Sequence, residues 1–299
     1  MKIWDNAIIK RRITDMRIAV RQYSDLRWTL IWIGGLLAAL IWSRLFLNYP
    51  AFSRLLSAMF NSLWVAVLAV LFSFILGYGA TLLQYSLQKQ RIRTLEMLFI
   101  FALNLIRSVP QIIGLLSGYI WIALMIEERL LASRWLIIIL FAAVTALFIF
   151  SELFDLLRER IAHYKKSDFF DAMVVCGISE SRIINFDIFW KNSRTHILNK
   201  LIAVFAAAIF LQCSVDFIIS VGLSTDVAAV NLPPTLGSML AKLDSKQDIL
   251  AIGYSLGHPG YLTELLFTHL QGITIAFVIV FSLLSLNRIG AGFAERKRL

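Results

Sequence analysis

Residues 62–84 read SLWVAVLAVLFSFILGYGATLLQ, with no charged side chain among them, and 88–93 then read QKQRIR. A hydrocarbon core about 30 Å thick takes roughly 20 helical residues to cross. Backbone groups in lipid have no water to bond, so a crossing segment of this kind is helical. Lys89, Arg91 and Arg93 follow at once, and basic residues gather on the cytoplasmic side of a membrane. The stretch therefore predicts a transmembrane helix that ends inside.

The same alternation runs through the chain. Apolar blocks predict further spans at about 28–47, 135–154, 200–222 and 263–287. The block at 97–126 is too long for one straight span, and Pro110 divides it, because a proline and the residue before it resist helical geometry. A short interfacial helix up to Arg107 and a span from about 109 are expected there. Tyr49, Pro50 and Arg54 suggest a short outer link after the first span. Residues 155–199 hold Arg158, Arg160, Lys165, Lys166, Arg182, Lys191 and Arg194, whereas 223–261 hold only Lys242 and Lys246 as lysine or arginine. Every loop agrees with one topology: an all-α polytopic membrane protein of six transmembrane helices, N-in/C-in.

Composition supports this class and excludes others. The 299 residues are 59% hydrophobic and 16% charged, against about half and a quarter in a soluble domain. The net charge of +10 comes from loops between apolar blocks, so no nucleic-acid partner is expected. Cys176 and Cys213 fall in an inner loop and a span, which argues against a disulfide or a zinc site. No phosphate-binding GxxxxGK[ST] loop occurs, so an ATP site of that type and a cofactor of the chain's own are not expected. Residues 1–27 are charged throughout and do not read as a cleaved signal. Ile3, Ile9, Ile13, Met16 and Val20 recur there at helical spacing. A cytoplasmic amphipathic helix on the lipid surface and a frayed basic tail both fit.

The inner loop has its own design. In DFFDAMVVCGISESRII (168–184), Asp168 is placed to cap a helix, with Asp171 near its positive end. Phe169, Ala172, Met173 and Cys176 offer an apolar face, Gly177 permits a break, and Ser179 suits the cap of a second short helix. Two short helices at a glycine elbow make a knob for a partner's groove; an ordinary connecting loop is the other reading.

This loop resembles the EAA loop of ABC-transporter permeases. Asp171, Ala172 and Met173 stand at its Glu-Ala-Ala positions, and Gly177 at its glycine. Arg182-Ile183-Ile184 and Ile188-Phe189 continue the pattern of the dipeptide/oligopeptide/nickel branch. Similar matches run over 54–295. They include Arg54-Leu55-Leu56, Asn61-Ser62-Leu63, Asn104 with Pro110, Asp216 with Gly222-Leu223, Pro233-Pro234-Thr235, Gly237, Met239-Leu240, Asn287, Gly290 and Gly292. Asp171 replaces the family's Glu, Met173 its second Ala, and Trp190 its closing Pro. The outer segment after the first span is also much shorter than is usual in that branch.

The resemblance implies an ABC type I importer permease-like fold. It divides the chain into the amphipathic segment 1–27, a first helix and link 28–53, the permease-like region 54–295 and a basic tail 296–299. Within 54–295 lie a coupling loop at 155–199 and an outer loop at 223–261. It implies one permease subunit of an ATP-driven importer of peptides or a similar small solute, in the bacterial inner membrane. Its implied partners are a second homologous permease, two ATP-binding subunits that hold ATP and Mg, and an extracytoplasmic substrate-binding protein. Asp171, Ala172, Met173, Gly177 and Arg182 would form the coupling loop. A non-transporting membrane scaffold or an ATPase-independent carrier is the alternative.

Polar groups inside spans are costly and mark pathways or contacts. Asn104, Arg107 and Asp216 are the candidate pathway or gate residues. Arg107 suits either a substrate carboxylate or snorkelling toward membrane lipids. Asp216 suits either a pathway or a structural hydrogen bond. Gln212, Ser214 and Asn104 also read as helix–helix contacts, and Glu152 as the inner close of its span. Leu236, Met239, Leu240 and Leu243 predict an outer amphipathic helix over 233–250, either closing the pathway or resting on the bilayer.

Overall fold

A computed structural model describes residues 24–222, 232–241, 253–264 and 270–295. The expectations for residues 1–23, 223–231, Lys242, Leu243, Lys246 and the tail 296–299 lie outside the described residues. No strand occurs among the described residues. The helices are α1 (Ser24–Phe46), α2 (Tyr49–Lys89), α3 (Arg93–Ser108), α4 (Gln111–Glu127) and α5 (Arg134–Lys165). They are followed by α6 (Asp168–Val175), α7 (Glu180–Arg182) running into a π-helix (Ile183–Asn192), α8 (Arg194–Gly222), α9 (Leu236–Ala241) and α10 (Leu270–Glu295).

Among the described residues five helices, α1, α2, α5, α8 and α10, are long and apolar enough to cross a membrane. Among the same residues the pair α3 and α4, which meet at 87°, offers a sixth crossing. The bend falls at Val109–Pro110, as the proline requires, and α4 starts directly after it. The expected outer link is shorter than the sequence suggests: Tyr49 and Pro50 already belong to the first turn of α2. Proline is at home there, because the first-turn N–H groups have no helical acceptor anyway. The 41 residues of α2 extend about 60 Å, twice a hydrocarbon core. Likewise α5 runs to Lys165, past the expected end near 154, and α8 begins at Arg194. The inner loop is therefore shorter, and more helical, than 155–199.

The packing suits an apolar solvent. The faces turned outward carry large apolar side chains, such as Leu45 (72% exposed), Phe101 (67%) and Leu284 (60%). The buried face of α2 carries Ala58, Ser62, Ala66, Ala69, Ser73, Gly77 and Thr81, a stripe of small residues at helical spacing. Lipid removes most of the hydrophobic drive between helices, so close approach of small residues becomes the main source of contact energy. α5 lies along this stripe; α8 packs on α2, α5 and α10. α1 packs chiefly on α10 and borders the bundle. Thr81, Thr145 and Thr274 return their hydroxyls to carbonyls four residues back, at 2.7, 2.8 and 2.7 Å. Buried polar atoms are thereby satisfied without a partner helix.

Candidate functional site

Residues 168–192 form a compact knob beneath the bundle. Its first helix begins one residue earlier than expected: Ser167 is the N-cap, with extended backbone, and Asp168 opens the helix. Asp168 and Asp171 both sit in the first turn, where the helix dipole favours negative charge. The exit is at Gly177, with φ +80°. Its N–H donates to Val174 O at 2.9 Å, and Ile178 N–H donates to Met173 O at 3.1 Å. This crossed pair is a Schellman close, whose left-handed position glycine fills without a Cβ penalty. Ser179 caps the next turn by position.

The short second helix does not stop at Ile184 but widens into the π-helix. Widened turns bring residues five apart into line. Ile183 with Ile188, and Ile184 with Phe189, are all buried. They meet Phe170 of α6, Leu157 and Ile161 of α5, and a stripe of α2 comprising Phe74, Tyr78, Leu82 and Tyr85. This second core starts at the inner end of the apolar block at 62–84 and continues past it to Tyr85, Leu157 and Ile161. Where it leaves the lipid the ordinary hydrophobic effect applies, at about 1.5–3 kcal/mol for each large side chain buried. The overruns of α2 and α5 are stable helix because they form its walls.

Polar contacts fix the knob to the same stripe. Tyr78 Oη donates to Asn185 Oδ1 at 2.9 Å. Tyr85 Oη donates to Glu180 Oε2, and Lys89 Nζ is 3.3 Å from the same oxygen. Lys165 Nζ sits 4.5 Å from the Tyr85 ring centre. The Tyr85 hydroxyl bond, followed by Lys89 and Lys165, holds Glu180 below the usual carboxylate range against the opposing effect of its burial. From α5, Arg160 donates to buried Ser193 Oγ at 3.0 Å and fixes the junction with α8.

The outward side of the knob is different in character. The expected apolar face divides: Met173 turns inward with Phe170, while Phe169, Ala172 and Cys176 are exposed. Val174 and Val175 join them, Val175 at 87% exposure. Asp171, Gly177 and Arg182 are exposed as well. Trp190 is exposed, with the Arg194 guanidinium 5.4 Å from its ring. Of the expected coupling-loop residues, Asp171, Ala172, Gly177 and Arg182 are each exposed, whereas Met173 is half-buried against the second core.

Of the three candidate gate residues, Asn104 and Arg107 lie one turn apart on α3, and Asp216 is on α8. Asn104 is exposed on α3. Arg107 closes on Asp155 of α5 at 2.7 Å and lies 5.4 Å from the Phe154 ring. Asp216 is buried on α8 and accepts a 2.5 Å bond from Thr235 Oγ1. Glu152 pairs with Lys200 at 2.8 Å, tying α5 to α8.

Asp216 belongs to a polar seam around the segment 232–241, a short irregular stretch leading into α9. Thr235 Oγ1 accepts from Ser238 N–H at 3.2 Å, and Ser238 Oγ accepts from Thr235 N–H at 3.0 Å, a reciprocal cap for α9. Asn61 Nδ2 donates to Pro234 O at 2.6 Å, and Leu236 N–H donates to Ser62 Oγ at 3.0 Å. Leu236 and Met239 are buried in the main core. This part of the predicted outer helix is therefore wedged between α2, α8 and α10 and does not rest on a bilayer. Gly237 makes the wedge possible, since a Cβ there would lie 2.6 Å from Cys213 O. Both amide atoms of Gln212 are buried without a hydrogen bond, and the buried Tyr119 hydroxyl lies beside the Asp216 carboxylate.

Sequence reasoning missed Tyr78, Tyr85, Glu180 and Asn185 as anchors, and in the seam Thr235 and Arg134, whose guanidinium donates to Asn61 Oδ1 at 2.7 Å. One signal was present: Phe74, Tyr78, Leu82 and Tyr85 repeat at helical spacing. No protein-family model matches the chain, and the search of characterised proteins yields no significant match. Among the described residues no group of three or more His, Cys, Asp or Glu is placed to hold a metal ion.

Proposed function

We propose that this chain is one permease subunit of an ATP-driven importer in the bacterial inner membrane, forming half of a pathway for peptides or a similar small solute. The observation that carries this reading is the knob at 168–192. It is packed and hydrogen-bonded against α2 and packed against α5, with an exposed apolar tip at Phe169, Val174 and Val175. Exposed apolar side chains on a well-anchored protrusion fit a groove on a soluble partner. A push on the tip is delivered to two helices that continue through the apolar block, because the clamp leaves little local slack. ATP and Mg are bound by the partner subunits in this reading. A second, homologous permease completes the pathway, and closure of two ATPase subunits biases the bundle between inward and outward states.

The test uses surface changes that spare the clamp. Asp171→Arg and Val175→Asp both lie on the exposed tip, so folding is expected to survive. Affinity purification from native membranes is expected to recover an ATPase with the unaltered chain and to lose it with either variant. Recovery of the chain as a lone homodimer, or ATPase association and uptake that withstand both changes, would refute the coupling claim.

A further inference from the structure

At the other end of the same two helices is a cavity that the coupling reading does not use. It encloses about 270 Å³, lined chiefly by Ser57, Phe60, Asn61 and Trp64 of α2 and by Arg134 and Trp135 of α5. Asn61 lies about 36 Å along α2 from Tyr85, at 1.5 Å per residue. That exceeds the thickness of a hydrocarbon core, so the cavity sits at headgroup level on the face opposite the knob. Trp64 and Trp135 meet edge to face there, ring centres 6.1 Å apart, and tryptophan favours that depth.

The chemistry of the cavity is one-sided. Arg134 presents a planar fork of five N–H donors. One of its terminal nitrogens donates to Asn61 Oδ1 at 2.7 Å, which aims the guanidinium. No carboxylate is among the lining residues. Guanidinium matches phosphate oxygens in geometry as well as charge. Ser57 adds a hydroxyl donor, and the aromatic walls suit the glycerol and upper acyl region of a lipid.

We propose that this cavity binds the phosphate of a net-anionic phospholipid headgroup, with Arg134 as the charged ligand and Trp64 and Trp135 as its walls. Asn61 also donates to Pro234 O at 2.6 Å, so the residue that aims Arg134 is the residue that pins the buried segment 232–241. Occupancy therefore bears on that segment as well as on the cavity. The proposal rests on the chain crossing a membrane and not on an ATPase partner.

Native mass spectrometry of the full chain from mixed phosphatidylcholine and phosphatidylglycerol micelles tests it. The unaltered chain is expected to retain one phosphatidylglycerol with about fivefold preference, the effect of a single surface arginine. Arg134→Gln is expected to abolish the preference, whereas Arg129→Gln, on the neighbouring turn, is expected to keep it. Ser57→Leu fills the cavity while sparing the charge, and loses the preference if the cavity is the site. Millimolar inorganic phosphate that displaces the lipid from the unaltered chain, but has no effect on Arg134→Gln, would support the same phosphate chemistry with free phosphate as an occupant. Equal retention of the two lipids, or a preference unchanged in Arg134→Gln and Ser57→Leu, overturns the proposal.

Discussion

Replacing Gly177 tests whether the knob is held in shape by backbone geometry. Its φ of +80° lies in the left-handed region, which costs an L-residue roughly 1–2 kcal/mol. A Cβ at this position meets nothing within 4 Å, so no steric penalty adds to that figure. Gly177→Ala is thus expected to lower the local stability of the knob by about 1–2 kcal/mol, and 1–2 kcal/mol corresponds to a factor of about 5–30 in an equilibrium constant. Gly177→Asn should cost less, because asparagine tolerates this conformation, and Gly177→Val more, because a β-branched residue does not. Hydrogen–deuterium exchange of the full chain reads the effect directly. The amides of Gly177 and Ile178, which close the Schellman pair on Val174 and Met173, are expected to exchange about 5–30 times faster in the alanine variant. Peptides from the buried part of α8 should be unchanged. Exchange in Gly177→Ala equal to that of the unaltered chain, or Asn as disruptive as Val, would refute the argument from φ.

Three further perturbations address other contacts. Tyr85→Phe removes the bond to Glu180 and is expected to cost about 1 kcal/mol of knob stability, measured by the same exchange experiment over 180–192. Because Glu180 is held below the usual carboxylate range, its contribution is present above the ordinary glutamate pKa of about 4.3. It is lost as pH falls through the lowered value, so the difference in melting temperature between the unaltered chain and Glu180→Gln should be constant from pH 7 to about 5 and vanish in stronger acid. Gly237→Ala puts a methyl group 2.6 Å from Cys213 O and should lower the melting temperature markedly, whereas Gly79→Ala, with nothing within 4 Å, should leave it level or raise it slightly. A double-mutant cycle on Arg107 and Asp155, a pair with both side chains partly exposed, should return a coupling of about 0–1 kcal/mol.

What could be read along the chain was whatever depends on consecutive residues. The charge-free run at 62–84 requires a helix because lipid offers its backbone no other partner. Pro110 places the 87° bend, and Gly177 places the elbow, because each acts on its own φ and ψ. Other features depended on which helix faces meet. Tyr85 with Glu180, Asn61 with Arg134 and Pro234, and Asp216 with Thr235 join residues far apart or on separate elements. A helix apolar on all sides carries no amphipathic stripe to announce its neighbour, so residues 62–84 could not indicate that Ala66, Ser73 and Gly77 face the core while Leu71 and Ile75 face outward. The overrun of α2 to Lys89 is the clearest case. Sequence alone ended the span where charge began, and only the second core at Phe170, Ile183 and Ile188 explains why the helix continues. Crossing a membrane is a local demand that sequence meets residue by residue, whereas clamping a knob or pinning the segment 232–241 is a property of surfaces that exist only once the helices have packed.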